Sequence, residues 1–132
     1  TSGGKNITPS NIENRLKFSP YISDAVVVGE GRNYLTCLIM IDQDNIAKFA
    51  QDQQVPYSDF ASMTRAPEIV QLIQSEIAQV NDRLARVEQI KSFRIIAQLL
   101  TAEDDELTPT MKLKRKVVAT KYADLITDMY PS

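Results

Sequence analysis

The run Tyr34-Leu35-Thr36-Cys37-Leu38-Ile39-Met40-Ile41 is apolar on both of its alternating faces, which makes it the most restrictive segment of the chain. A strand of that kind cannot show one face to water. It must lie inside a sheet and be covered on both sides. A β-branched run, Ala25-Val26-Val27-Val28, precedes it, and Gly29-Glu30-Gly31-Arg32-Asn33 separates the two. The pattern predicts an antiparallel hairpin with a loop of about five residues.

Helical signals surround this hairpin. Thr8 before Pro9 reads as an N-cap with proline in the first turn, and Ser10 with Glu13 offers a competing capping box. Ile12 and Leu16 share one face, and Pro20 is expected to stop this helix after Phe18. Asp42 to Asp44 can cap a helix carrying Ile46, Phe49 and Ala50. Between Gln51 and Arg65 the chain is polar and broken by Pro56, with Tyr57, Phe60 and Met63 as expected anchors. Pro67 then opens the longest helix, whose stripe of Ile69, Ile73, Ile77, Val80, Leu84 and Val87 recurs every three or four residues.

The remaining elements are shorter. Phe93 to Ile96 reads as a third strand, Thr101 to Glu106 as one acidic helical turn, and Leu107-Thr108-Pro109-Thr110 as a loop. A basic run, Lys112 to Lys116, leads into a final helix with Val118, Tyr122, Leu125 and Met129 on one face. This order predicts an α+β domain, a small sheet containing the hairpin and a further short strand, flanked by helices. No linker or repeat divides residues 1–132, so one domain is expected.

Composition excludes several chemistries. The chain has no histidine and a single cysteine, so the usual zinc sites and the Ser-His and Cys-His nucleophile pairs cannot be assembled from it. Cys37 sits in the apolar run and is expected to be a buried, reduced thiol, in keeping with a cytoplasmic setting. A net charge of −2 gives no support for nucleic-acid binding. No apolar stretch is long enough for a transmembrane helix. The chain opens without Met at Thr1-Ser2-Gly3-Gly4, from which a fragment of something longer is expected.

Two segments carry more specific information. The first is Thr1-Ser2-Gly3-Gly4-Lys5-Asn6-Ile7-Thr8-Pro9-Ser10-Asn11-Ile12-Glu13. The second is Glu106-Leu107-Thr108-Pro109-Thr110-Met111-Lys112-Leu113-Lys114-Arg115-Lys116. Paired glycines let a backbone approach a thin ligand closely, because no Cβ intervenes. Four basic residues crowd positions 112–116 just before a helix, where the macrodipole disfavours cations. Local helix stability does not account for them, whereas an anionic ligand does. The plainer alternative is a solvated basic turn balanced by Glu103, Asp104, Asp105 and Glu106.

Both segments resemble the C-terminal domain of the adenylate-forming superfamily, which includes acyl-CoA synthetases, luciferases and peptide-synthetase adenylation domains. The glycine loop, Ile7, Pro9 and the Ile12-Glu13 pair follow its opening pattern. The second segment resembles its catalytic-lysine loop, with Met111 where most members have glycine, a form similar to that of bacterial long-chain fatty acyl-CoA synthetases. The stretches 80–91 and 121–126 also look like those enzymes, so the resemblance covers nearly the whole chain.

The resemblance implies a two-step reaction. ATP and a fatty acid give acyl-adenylate and pyrophosphate, and CoA then displaces AMP, with the small domain rotating between the steps. Lys112 would be the catalytic residue of adenylation, and Ser2, Gly3, Gly4 and Lys5 the CoA-binding loop. ATP, CoA and Mg would serve the intact enzyme, with none held tightly by this piece, and the isolated domain would be inactive. The partner would be the enzyme's own N-terminal domain, carrying the nucleotide site, the hinge and any peripheral membrane contact. The alternatives are the lid of a fatty acyl-AMP ligase, or a free-standing interaction module whose basic run docks an acidic partner.

Overall fold

The computed structural model describes residues 8–101, 103, 105–110 and 112–131. Strands β1 (Ile22–Val28) and β2 (Leu35–Ile41) form the expected antiparallel hairpin, with Val26 opposite Leu38 and Val27 opposite Cys37. Strand β3 (Ile90–Ile95) runs parallel to β2, giving the order β1-β2-β3. All seven residues of β2 are buried, as a central strand with two apolar faces requires.

Alternation along β2 feeds two cores. Cys37, Ile39 and Ile41 face helices α1 (Pro9–Leu16), α2 (Gln43–Asp52), α3 (Phe60–Arg65) and α4 (Pro67–Asn81). Leu38 and Met40 face the other way, onto α5 (Arg115–Lys121) and α6 (Ala123–Asp128), where Val118, Ile126 and Met129 are buried. The domain is thus a sheet between two helical layers, an α+β architecture. The larger core is filled by the α4 stripe, with Ile69 and Ile73 at 0% exposure.

Capping follows side-chain chemistry closely. Asp42 accepts the Asn45 amide at 3.0 Å at the start of α2. Asp59 accepts the Ser62 amide at 2.8 Å in a reciprocal capping box at α3. Thr8 occupies the N-cap of α1 without a side-chain hydrogen bond, and Pro9 supplies the preset φ of the first turn.

Several elements depart from the pattern. α1 ends at Leu16, and Phe18 beyond it is 85% exposed. Tyr57 is 45% exposed and lies outside both core clusters, whereas Phe60 and Met63 do pack on the larger core. α4 ends at Asn81, short of Leu84 and Val87, because Asn81 turns its amide to the next strand. Its Oδ1 accepts the Ile90 amide at 2.8 Å and its Nδ2 donates to the Ile90 carbonyl at 3.0 Å. That clamp starts β3 at Ile90, three residues before the expected Phe93. Leu84 still packs on the larger core, in the turn that follows α4, where its amide donates to the Asn81 carbonyl at 3.0 Å; a short 3-10 turn at Arg86–Glu88 comes next.

The described part of 101–106 forms turns rather than a helical turn. The closing helix is two, broken at Tyr122, whose ψ of 29° leaves the helical range while its hydroxyl donates to Gln98 at 2.9 Å. Val118 and Met129 of the expected stripe are buried, Tyr122 and Leu125 pack against the same core half-buried, and Ile126 joins them as a buried residue.

Candidate functional site

The segment around Lys112 is a short antiparallel turn. Leu107 and Leu113 pair across it, and the Lys114 amide donates to the Glu106 carbonyl at 2.7 Å. Nearer the tip, the Thr108 amide donates to the Lys112 carbonyl at 2.7 Å. The Thr108 hydroxyl oxygen accepts the Lys112 amide at 3.0 Å and lies 3.1 Å from the Thr110 hydroxyl. Pro109 at the bend suits this geometry, since its ring fixes φ and it has no amide to satisfy. The backbone at Lys112 is therefore held at both N–H and C=O, while its side chain is exposed. Among the described residues the Lys112 ammonium takes part in no ion pair. It is a held backbone carrying an uncommitted charge.

Both ends of this loop are fixed by carboxylates. At its entry Glu106 is 1% exposed and pairs with Lys121 of α5. At its exit Arg115 opens α5 and reaches Glu13 of α1, 102 positions away in the chain. Arg115 Nε donates to both Glu13 oxygens, at 3.1 and 2.9 Å. Glu13 also accepts the Val27 amide at 2.7 Å, and Arg115 donates from its terminal nitrogen to the Val27 carbonyl at 3.0 Å. Val27 lies on the outer edge strand, so the pair satisfies edge groups that β-pairing leaves open.

The four basic residues at the loop are consequently not equivalent. Arg115 is a structural cation, while Lys112, Lys114 and Lys116 are exposed with no ion pair among the described residues. The sequence held a partial signal for this division. Glu13 lies three residues before Leu16, on the side of the helix that faces the core, and a buried carboxylate demands a partner. Nothing local named Arg115 as that partner.

The other candidates divide clearly. Ser2, Gly3, Gly4 and Lys5 lie outside the described residues. Cys37 is fully buried, and burial, reinforced by the Glu13 charge, pushes its thiol far above the ordinary range, so it is neither ionised nor reachable as a nucleophile. Beyond the loop, Tyr130 ties the C-terminal end to the hairpin. Its hydroxyl accepts from Thr36 at 3.0 Å and lies 3.0 and 2.9 Å from the carbonyls of Val28 and Tyr34. Burial raises the pKa of that phenol. The described residues contain no group of three or more His, Cys, Asp or Glu side chains able to hold a metal ion. No helix among them is long and apolar enough to cross a membrane.

Comparison with known proteins places this geometry in a family. The chain is 39% identical over 132 residues to a putative fatty-acid–CoA ligase, fadD11, of Mycobacterium tuberculosis, covering 99% of this chain and 23% of that protein. It is 37% identical over 131 residues to the long-chain-fatty-acid–CoA ligase FadD15 of the same organism, covering 98% and 22%. The chain thus spans less than a quarter of the length of these curated relatives. In fold it resembles the A domain of carboxylic acid reductase from Segniliparus rugosus, with a TM-score of 0.70 at 18% identity over 96% of this chain and 18% of that one. It also resembles a Mycobacterium tuberculosis fatty acyl CoA synthetase, with a TM-score of 0.54 at 20% identity over 94% and 19%. The family model for the AMP-binding enzyme C-terminal domain matches residues 1–132 from end to end, and the chain belongs to that family.

Proposed function

We propose that this chain is the single C-terminal lid domain of an AMP-forming long-chain fatty acid–CoA ligase, and that Lys112 acts in its adenylation step. The observation that carries this reading is the Lys112 ammonium, exposed and without an ion pair among the described residues, on a loop whose backbone is fixed on both sides. An ammonium so held can be presented to a phosphate without first breaking an internal pair. The relatives' names supply the substrate class, a long-chain fatty acid and CoA.

In the proposed reaction the domain docks on a larger N-terminal domain that holds ATP and the fatty acid. Lys112 then approaches the carboxylate and α-phosphate oxygens. Its charge offsets the repulsion between two anions and stabilises the charge that builds in the transition state. Lysine suits the task as a compact charge on a flexible stem. For the second step the domain rotates, and Ser2, Gly3 and Gly4 line the passage for CoA with Lys5 beside its phosphates. Magnesium in this scheme accompanies the nucleotide, because the described residues offer it no ligand cluster.

The test is Lys112→Ala in the intact enzyme, assayed in each half-reaction. Loss of one preorganised charge lowers such a rate by about a hundred- to a thousandfold. Adenylation should fall by that factor, while thioester formation from supplied acyl-adenylate stays near normal. Lys114→Ala and Lys116→Ala serve as controls, being equally exposed cations. Equal losses at all three positions would assign the effect to general electrostatic attraction and remove Lys112 from its role.

A further inference from the structure

We infer that Glu13 and Arg115 form a positioning pair for the Lys112 loop, and that adenylation depends on them through Lys112. The inference rests on the proposed role of Lys112 and adds two residues that touch no substrate in it. Its ground is the way the pair closes around the sheet edge. Glu13 belongs to the helical layer on one face, Arg115 to the layer on the other, and both bond the same edge residue, Val27.

Arg115 stands three residues from Lys112 and is the first residue of α5. Its guanidinium is oriented by three hydrogen bonds, two to Glu13 and one to the Val27 carbonyl, which fixes the helix start against β1. The loop's return strand runs directly into that start, since the Lys114 amide is bonded to Glu106 immediately before it. The exit of the loop therefore has two supports, one inside the turn and one at the sheet edge. Without the Arg115 fork, the exit of the loop would be held by the turn alone, leaving the Glu106–Lys121 pair to fix only its entry.

A planar fork matters here, because one guanidinium must serve a carboxylate and a carbonyl together. Lysine keeps the charge but offers no such fork. Misplacing a catalytic group by about 1 Å can lower a rate by about a hundredfold. The loss should appear in the step that uses Lys112 and leave the other step alone.

The experiment uses the intact enzyme with Glu13→Gln, which removes the charge at nearly constant size, and Arg115→Lys, which keeps the charge and loses the planar fork. Each is measured by ATP–pyrophosphate exchange with fatty acid and by thioester formation from supplied acyl-adenylate. The same changes are then made in a Lys112→Ala background. The expected result is a loss of about ten- to a hundredfold in adenylation, with thioester formation within about threefold of normal. In the Lys112→Ala background the further loss should fall below about twofold, because the pair acts through the missing ammonium. Equal losses in both half-reactions, or losses that persist undiminished without Lys112, would make the pair a general scaffold and overturn the inference. Normal adenylation in both variants would overturn it too. If Lys112→Ala alone leaves adenylation intact, the role of Lys112 falls and this inference falls with it. If that variant is impaired and the pair's variants are not, only the positioning role is lost.

Discussion

At the scale of single residues, the basic run shows that charge of one sign can serve two purposes within five positions. Arg115 is 47% exposed, and its carboxylate partner Glu13 only 8%. Removing the guanidinium leaves that carboxylate with the Val27 amide as its remaining hydrogen bond. Arg115→Ala should therefore lower unfolding stability by about 1–3 kcal/mol, the cost of stripping partners from a buried charged group. Lys116→Ala should stay within about 0.5 kcal/mol of the parent, as exposed substitutions do. Urea titration of both variants checks the contrast. Cys37 supplies a second residue-scale test. Its folded-state pKa lies above the ordinary value of 9.0, so the unfolded chain releases this proton first as pH rises. The corresponding stability is whole below that value and is lost progressively above it. Cys37→Ala should remove this part of the alkaline slope when stability is measured from pH 8 to pH 10.5 (about the upper limit for the ordinary tyrosine range). Tyr130, also raised by burial, continues to contribute.

At the scale of elements, what could be read in advance was whatever a period or a cap encodes locally. The hairpin, the fully covered central strand, Asp42 as a cap and Pro67 as a helix start all follow from neighbouring residues. Two of the departures coincide with a hydrogen bond to a distant part of the chain. The α4 stripe runs past Asn81 in the sequence, yet the helix stops where the Asn81 amide captures the backbone of Ile90. The closing helix breaks at Tyr122, bonded to Gln98, and no helix breaker marks that place. Around the candidate site, Pro109 and its polar neighbours mark the turn that carries Lys112, whereas the Glu13–Arg115 pair has no local signal because 102 positions separate the two residues. Asn81→Ala makes the element-scale argument testable. It removes both bonds to Ile90 while leaving a good helix former at the end of α4. Stability should drop by about 1–3 kcal/mol, since the Ile90 amide and carbonyl lose their partner in a partly buried setting. Amide hydrogen exchange at Ile90 should accelerate more than at Cys37 in the central strand. Equal acceleration at the two sites would mean that Asn81 acts only on global stability.

At the scale of the whole molecule, the two cores lie on opposite faces of one sheet and share β2, so neither layer can leave without exposing that strand. Residues 1–132 should therefore unfold in a single cooperative step when expressed alone, with calorimetric and van't Hoff enthalpies that agree. Activity should not survive the same separation. Among the described residues no group of three or more His, Cys, Asp or Glu side chains could hold a metal ion, and the thiol of Cys37 is buried. In the proposed scheme the nucleotide and the acyl chain are held by the larger domain, and Lys112 contributes only once docked against it. ATP–pyrophosphate exchange by the isolated chain should therefore stay at background at any fatty acid concentration. Thermal unfolding on the same sample separates the two expectations, because a folded and inactive domain differs from an unfolded one. Exchange well above background from a folded sample would place a complete adenylation site within these 132 residues and refute the lid reading. A sample that fails to unfold cooperatively would instead show that the sheet and its two layers need the rest of the enzyme to hold together.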